Sequence, residues 1–197
     1  MPRTAIEDRL LTALDRRHGE TSDYDLNPGF SLPPGRILRP AAVLVPVWQR
    51  ADGPRVILTK RSSHLKHHPG QVAFPGGKLE EEDGSPEAAA LREATEEVGL
   101  SAGLVTILGR LPAHETVTGF SVTPILAMVA KDFQPVPEPG EVEEVFSVPL
   151  AHLLNLENYA IERRLWRGQW RRYYAVPWGA HYIWGATARI LRGMAGE

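Results

Sequence analysis

The sequence predicts a single α/β (α+β) domain in which a mixed β-sheet is sandwiched between α-helices. Amphipathic helical patterns lie at both ends of the chain, a capped helix lies in the middle, and short apolar strand patterns fill the two intervals. This order lacks the strict strand–helix alternation of a doubly wound sheet, so we expect antiparallel or mixed pairing. The 197 residues suit one domain with a sizeable core, and we assign residues 1–197 to it.

Composition and charge argue against several functional classes. The formal net charge of −2 provides no overall basic field that would attract nucleic acid or an anionic membrane. The chain has no cysteine, which excludes disulfides, thiolate metal ligands and a cysteine nucleophile. Residues 1–9 are charged and do not resemble a signal peptide, and no apolar run approaches the roughly 20 residues that span a bilayer. We therefore expect a cytoplasmic protein without membrane or nucleic-acid partners.

The first half begins with a helix predicted over residues 4–18, where apolar side chains recur at helical spacing: Ile6, Leu10, Leu11 and Leu14. Prolines and glycines in residues 27–40 predict an extended connector. Residues 41–48 and 55–60 are apolar and flank a Gly-Pro turn, which predicts a β-hairpin. A polar loop with glycines and histidines follows over residues 61–77.

The central helix is predicted over residues 86–98. Ser85 is a favourable N-cap, a proline occupies the first helical position, and Gly99 lies where a helix ends. Residues 105–111 and 121–129 are strand-like and continue the sheet beyond this helix.

The last third contains a Pro-rich acidic loop over residues 131–141, a strand over 142–150 and a closing amphipathic helix over 184–194. Between them, residues 163–178 are basic and aromatic, and we interpret them as a hairpin with Gly168 near its turn. Interleaved arginines and aromatic rings are also typical of single-strand nucleic-acid binders, but the strand-like alternation favours packing. Contact between two subunits and closure over an adenine ring remain open alternatives.

Three carboxylates in the central helix point to chemistry. Glu93, Glu96 and Glu97 are three and four residues apart, which places them on one helical face. Like charges at this spacing repel by a few tenths of a kcal/mol per pair, and a cation would offset that cost. Hard oxygen ligands that converge on one point suit Mg²⁺ or Mn²⁺. Taken alone, the same residues fit a solvated acidic helix face equally well.

The surroundings of this helix follow a known pattern. After residues 77–83, the chain reads Arg92-Glu93-Ala94-Thr95-Glu96-Glu97-Val98-Gly99-Leu100. Together these segments resemble the Nudix box, Gly-x5-Glu-x7-Arg-Glu-U-x-Glu-Glu-x-Gly-U, in which U is a bulky apolar residue. Asp83 stands in place of the first Glu, eight residues rather than seven separate it from Arg92, and Ala94 is small. Asp83 and Glu82 both remain candidates for the first acidic position. Because the extra residue precedes the helix, the register of the helical carboxylates is preserved.

A second pattern lies immediately upstream, over residues 57–77. It begins Ile57-Leu58-Thr59-Lys60-Arg61-Ser62 and continues through Lys66, Gly70 and Phe74-Pro75-Gly76-Gly77. This spacing is similar to the signature of Nudix coenzyme A pyrophosphatases, Leu-Leu-Thr-x-Arg-Ser-x3-Arg-x3-Gly-x3-Phe-Pro-Gly-Gly. Ile57 and Lys66 stand in place of Leu and Arg. Residues 183–188 resemble the closing helix of the same subfamily.

The resemblance implies a Nudix fold and metal-dependent hydrolysis of coenzyme A, or a derivative, to 3′,5′-ADP and 4′-phosphopantetheine or its acyl form. It implies that Glu93, Glu96 and Glu97 bind the metal, Mg²⁺ or Mn²⁺. Glu93 and Glu97 are also expected to be catalytic. Arg61 and Lys66 are expected to bind the phosphates of coenzyme A, including its 3′-phosphate.

The sequence leaves the general base open. Glu93 fits this role at the expense of its role as a ligand, and so does a carboxylate on a later loop. Of Glu141, Glu143 and Glu144 we slightly prefer Glu144 as a catalytic residue, although a solvated acidic loop is at least as consistent with the sequence. Arg92 is expected to brace the carboxylates rather than contact substrate.

Three other functions are compatible with the same motifs. One is a Nudix pyrophosphatase for another nucleoside diphosphate derivative, such as ADP-ribose or NADH. Another is a nucleotide-binding sensor without turnover, which the intact box carboxylates disfavour. The third is an enzyme that processes RNA caps, which would require residues 163–178 to bind RNA. A homodimer is also expected to be possible, through the N-terminal helix or the same basic-aromatic segment.

Overall fold

The fold is a mixed β-sheet flanked by α-helices, as the sequence predicted. The computed structural model describes residues 5–15, 19–30, 35–66, 68–130, 133–166 and 168–196. The helices are α1 (Ala5–Asp15), α2 (Pro86–Val98), α3 (Leu150–Leu153) and α4 (Ala186–Ala195). The strands are β1 (Thr21–Ser22), β2 (Arg39–Arg50), β3 (Gly53–Arg61), β4 (Val72–Ala73), β5 (Gly76–Lys78), β6 (Val105–Arg110), β7 (His114–Glu115), β8 (Phe120–Val129), β9 (Val142–Pro149), β10 (Ala160–Trp166) and β11 (Gln169–Ala175).

The long strand β2 organises the main sheet. It pairs in parallel with β8 and antiparallel with β3 and β5. Strand β3 continues the sheet through antiparallel contacts with β9 and β4, while β6 and β7 pair antiparallel with β8. The parallel β2–β8 pair within an otherwise largely antiparallel sheet confirms the mixed pairing that the sequence predicted.

Alternating side chains of β2 enter two separate apolar cores. Leu44 packs in the core beneath α2, which includes Ala90 and Val98, whereas Val45 packs in the opposite core with Leu191 of α4. Successive residues of a strand point to opposite faces of a sheet, so the sheet is covered on both faces. This layering fixes α2, with its three glutamates, against one face of the sheet.

The central helix has the bounds that its caps predicted. The Ser85 side chain accepts a hydrogen bond from the backbone N–H of Ala88 at 3.1 Å, and Gly99 ends the helix with φ of 71°. Its buried positions are mainly small, including Ala90 and Ala94, which lets the helix approach the sheet closely. Both ends of α2 are therefore fixed, and the position of its carboxylates with them.

Several predicted bounds differ from the observed ones. The first helix lies within the predicted range, of which residues 4 and 16–18 lie outside the described part of the chain. The closing helix begins at Ala186 rather than at residue 184, because Gly185 adopts φ of 64° before the first turn. No helix in the described residues is long and apolar enough to cross a bilayer.

The basic-aromatic segment forms the predicted hairpin as a separate two-stranded sheet, β10–β11. Its last pair of the register is Trp166 with Gln169, and Gly168 in the turn has φ of 77°, a conformation that favours glycine. Arg167 of this turn lies outside the described residues. The hairpin stands beside the main sheet rather than within it, so a cleft forms between them.

A surface ion pair joins α2 to β6 and makes stability sensitive to acid. Arg110 donates to Glu87 from Nε at 2.6 Å and from Nη2 at 2.8 Å, and this lowers the pKa of Glu87 from 4.5 to about 2. A carboxylate with a lowered pKa in the folded state stabilises above its ordinary pKa and loses that contribution as pH falls through the lowered value. The Glu87–Arg110 pair therefore makes its full contribution to the free energy of unfolding above pH 4.5.

We expect Glu87→Gln to lower the free energy of unfolding at pH 7 by at most about 1 kcal/mol, because the Arg110 side chain is 54% exposed and water screens the pair. Urea unfolding at pH 7 and near pH 2 measures the effect. The difference from wild type should shrink towards pH 2, and Glu82→Gln on the exposed box loop should show no such trend. An equal difference at both pH values would contradict the assignment.

Candidate active site

Glu97 is a buried carboxylate between α2 and the loop that joins β4 to β5. Its side chain is 5% exposed, its Oε2 accepts a hydrogen bond from the backbone N–H of Gly76 at 3.1 Å, and its Oε1 lies 3.7 Å from Arg61 Nη1. Burial, with smaller contributions from the charges of Glu93 and Glu141, raises the pKa of Glu97 to about 7. The nearby positive charge of Arg61 therefore does not fully offset the cost of burying the ionised Glu97 carboxylate.

Glu93 occupies the adjoining position one turn earlier on α2. Its pKa is raised, chiefly by burial, although the nearby Arg92 opposes the shift. A Cβ at Gly77 would lie 2.3 Å from Glu93 Oε1, so only glycine lets the carboxylate reach its observed position. Gly77 therefore belongs to the site because its missing side chain leaves room for the Glu93 carboxylate.

Arg92 braces the acidic residues, as the sequence analysis expected. Its Nε and Nη2 bind both carboxylate oxygens of Asp83 at 2.8 and 3.0 Å. Its Nη1 donates to Glu93 at 3.1 Å and to Glu96 at 3.2 Å. The guanidinium holds the pKa of Asp83 below its usual value.

Asp83 explains how the box tolerates its extra residue. The chain makes a single 3₁₀ turn at Glu81–Asp83, and the Asp83 carboxylate also accepts a hydrogen bond from the backbone N–H of Glu80 at 2.8 Å. This turn takes up the additional residue and delivers the shorter side chain to Arg92. The departure from the Nudix pattern is thus accommodated before α2 begins.

The acidic residues have the chemistry of a divalent cation site, although their side chains are not gathered for one. In the described part of the chain, no three acidic or histidine side chains converge closely enough to hold a metal. Glu96 is 59% exposed and bound to Arg92, while the charges of Glu93 and Glu141 both raise the pKa of Glu97. A divalent cation among these oxygens would remove that repulsion, so the donor set fits Mg²⁺ or Mn²⁺.

A cleft of about 630 Å³ opens beside this site. Arg61 belongs to both, since it lines the cleft and contacts Glu97. The other walls come from residues 68–74, the turn at 116–118, the β10–β11 hairpin and the start of α4. Its volume is within the range typical of small-molecule sites, and its walls are rich in arginine and aromatic rings.

The structure brings some of the predicted site residues together and leaves others apart. Arg61 lies 3.7 Å from Glu97, and the charge of Glu93 raises the pKa of Glu97. Lys66 is exposed and does not line the cleft. Glu144 is 47% exposed and accepts from His181 Nε2 at 3.1 Å, with no contact to the glutamates of the box.

Of the three glutamates that follow the Pro-rich loop, Glu141 is the one whose charge acts on Glu93 and Glu97. Its charge raises the pKa of both Glu93 and Glu97, and its backbone carbonyl accepts from the N–H of Ser62 at 2.8 Å. Glu143, in contrast, forms an ion pair with Lys60 at 2.6 Å. These charge interactions favour Glu141 over Glu144, a preference that the sequence alone did not supply.

Comparisons with known proteins agree with this geometry. The sequence matches the NUDIX domain over residues 38–167. It is 45% identical over 161 residues to the uncharacterized Nudix hydrolase NudL of Enterobacter sp. (strain 638), covering 80% of this chain and 81% of the relative. Identity to NudL of Escherichia coli (strain K12) is 42% over 157 residues, with coverage of 80% and 81%.

A solved structure shows the same fold. The chain is similar to the Nudix hydrolase RenU of M. Smegmatis with a TM-score of 0.50 and 24% identity. The similarity covers 61% of this chain and 82% of that one. At 24% identity, this similarity supports a shared fold and nothing further.

Proposed function

The chain belongs to the Nudix hydrolase family, and from this premise we propose that it hydrolyses the pyrophosphate bond of coenzyme A or its derivatives. The products are 3′,5′-ADP and 4′-phosphopantetheine, or acyl-phosphopantetheine from an acyl derivative. The observation that carries the proposal is the position of Arg61. This residue of the upstream signature lies 3.7 Å from Glu97 of the box and also lines the cleft.

The chain's own residues suit this reaction. Arg61 would bind the pyrophosphate beside Glu97, because a guanidinium matches phosphate oxygens with paired donors. Glu93, Glu96 and Glu97 would hold Mg²⁺ or Mn²⁺, which when bound neutralises phosphate charge and lowers the pKa of water. Water attacks one phosphorus of the pyrophosphate and the bridging P–O bond breaks. Each product keeps one of the two pyrophosphate phosphates, and 3′,5′-ADP also keeps the 3′-phosphate.

A carboxylate must take the proton from the attacking water. Glu93 is half-buried, and burial raises its pKa, which improves it as a base near neutral pH. Glu141 is the alternative that the electrostatics favour. Glu144 would take this role only after leaving its contact with His181.

A second candidate function is a Nudix pyrophosphatase for another nucleoside diphosphate derivative, such as ADP-ribose or NADH. It is favoured by the arginine and aromatic side chains of the cleft, which suit any adenine nucleotide. A sensor without turnover is less well supported, because Arg92 holds Asp83, Glu93 and Glu96 in one braced group.

Turnover of coenzyme A, ADP-ribose and NADH, each with Mg²⁺, with Mn²⁺ and with chelator, tests the proposal by mass analysis of products. We expect metal-dependent release of 3′,5′-ADP and 4′-phosphopantetheine, with coenzyme A as the best substrate. Cleavage of ADP-ribose or NADH, but not of coenzyme A, would retain Nudix chemistry and overturn the substrate. No cleavage of any of them would favour a binding role.

A further inference from the structure

The β10–β11 hairpin presents one face to the cleft. Arg164 and Trp166 of β10 and Arg171 and Tyr173 of β11 line the cleft from this face, and Arg172 also lines it. Because side chains alternate along a strand, Arg163 lies on the opposite face, where its guanidinium stacks 5.0 Å from the centroid of the Trp170 ring. The hairpin therefore offers an arginine on the cleft and a comparable arginine away from it.

Aromatic rings hold the cleft arginines in place. The guanidinium of Arg164 lies 4.5 Å from the centroid of a Trp184 ring. That of Arg171 lies 4.5 Å from Trp166 and 4.2 Å from Phe30. A guanidinium stacked by its face keeps its N–H edge available for planar or tetrahedral anions.

The guanidinium groups of Arg164 and Arg171 form no ion pairs with the described acidic residues. Within the described ranges, neither Arg164 nor Arg171 forms an ion pair with a carboxylate, and Arg171 Nε is buried without an acceptor. Among the described residues that line the cleft, Asp23 is the one acidic side chain. It accepts a hydrogen bond from the Val117 N–H at 2.8 Å and lies 3.2 Å from His114 Nε2. Arg171 is half-buried, whereas Arg164 is exposed. An unpaired, partly buried cation such as Arg171 is costly, and an anionic ligand would offset that cost.

The hairpin arginines lie on a different element from Arg61. Arg61, beside Glu97, stands on the main sheet, whereas Arg164 and Arg171 stand on the hairpin. Resting on the proposed function, which places the scissile pyrophosphate at Arg61, we propose that Arg164 and Arg171 bind the 3′-phosphate of coenzyme A. This face of the hairpin then selects adenine nucleotides with a 3′-phosphate over those without one.

Coenzyme A and 3′-dephospho-coenzyme A differ only in this group, so their hydrolysis tests the proposal. Arg164→Met should lower kcat/KM for coenzyme A by about 10- to 100-fold, the effect of losing one charge-assisted contact. It should change kcat/KM for 3′-dephospho-coenzyme A by less than about threefold. Methionine keeps an apolar chain against Trp184. Arg163→Met is the matched control and should leave both values unchanged.

Equilibrium binding separates this inference from the proposed reaction. Calorimetry compares adenosine 3′,5′-bisphosphate with ADP. Both nucleotides carry two phosphates and a similar total charge, but only the first has a phosphate at the 3′ position. We expect wild type to prefer the 3′,5′-bisphosphate and Arg164→Met to lose that preference. Arg171→Met provides a second variant if the first does not fold.

The outcomes distinguish the two proposals. Equal binding of both nucleotides to wild type, or a preference that survives in both arginine variants, would overturn the subsite. Equal hydrolysis of coenzyme A and its 3′-dephospho form would also overturn it while the proposed reaction stands. If coenzyme A is not hydrolysed but the arginine-dependent binding preference holds, the reaction fails and the subsite stands.

Discussion

Glu97→Gln is expected to reduce kcat by about 10³-fold or more, a loss of several kcal/mol of transition-state stabilisation. Glutamine cannot supply the negative charge that a divalent cation requires, but its amide oxygen can still accept the hydrogen bond that Glu97 receives from Gly76. The change therefore removes the charge and preserves the local packing. Steady-state turnover at saturating Mg²⁺ or Mn²⁺ measures the loss.

Thermal unfolding of the same variant shows whether the loss is chemical or structural. The raised pKa of about 7 at Glu97 means that its contribution to stability is full below the ordinary value of 4.5 and falls as pH rises through 7. In chelator at pH 8, the ionised carboxylate destabilises wild type, so Glu97→Gln should melt at the same temperature or higher. Added metal should raise the Tm of wild type more than that of the variant.

Glu82→Gln is the matched control for this experiment. Glu82 is exposed, whereas the neighbouring Asp83 binds Arg92. We expect near wild-type turnover and stability. The ligand assignment is wrong if Glu97→Gln unfolds, or if it retains activity close to that of Glu82→Gln.

Local signals accounted for the elements that the sequence predicted correctly. Ser85 and Gly99 define α2 through contacts within a few residues, and the β2–β3 hairpin closes through a short turn. Strands β1, β4, β5 and β7 contain two or three residues each. They exist only because distant segments pair with them, and such short patterns carry no periodicity from which to predict them.

The position of the later carboxylates shows a second limit. The pairing of β3 with β9 changes register between Lys60 and Arg61, which face Glu144 and Val142 respectively. A register shift of this kind reverses which side chains face one side of a sheet. The sequence shows three nearby glutamates but no bulge, so it could not favour Glu141. Lys66 shows a related limit, since the path of a long loop depends on tertiary contacts that the sequence does not reveal.

The signature glycines were matched by spacing, and the structure gives each a different physical role. Gly76 adopts φ of 153°, and a Cβ there would lie 2.5 Å from the carbonyl oxygen of Ala42 and 2.6 Å from Val43 Cα. Both obstacles are backbone atoms of the central strand β2. A Cβ at Gly77 would instead meet the carboxylate of Glu93, the far end of a flexible side chain.

We therefore expect two adjacent glycine-to-alanine changes to fail differently. Gly76→Ala should lower the free energy of unfolding by about 3 kcal/mol or more, because the strand must shift. Gly77→Ala should cost little stability but lower kcat about 100-fold, since a displacement of about 1 Å at a catalytic group has this effect. Urea unfolding and steady-state kinetics on both variants measure the contrast.

Equal loss of stability in the two variants would show that the whole loop is a structural unit and that Glu93 has no special dependence on Gly77. Full activity in Gly77→Ala would show that Glu93 tolerates displacement, which a metal ligand or base cannot do. The expected contrast would instead assign the first glycine to the fold and the second to the chemistry. The Gly-Gly pair would then be the point at which the path of the main sheet fixes the position of the reactive carboxylate.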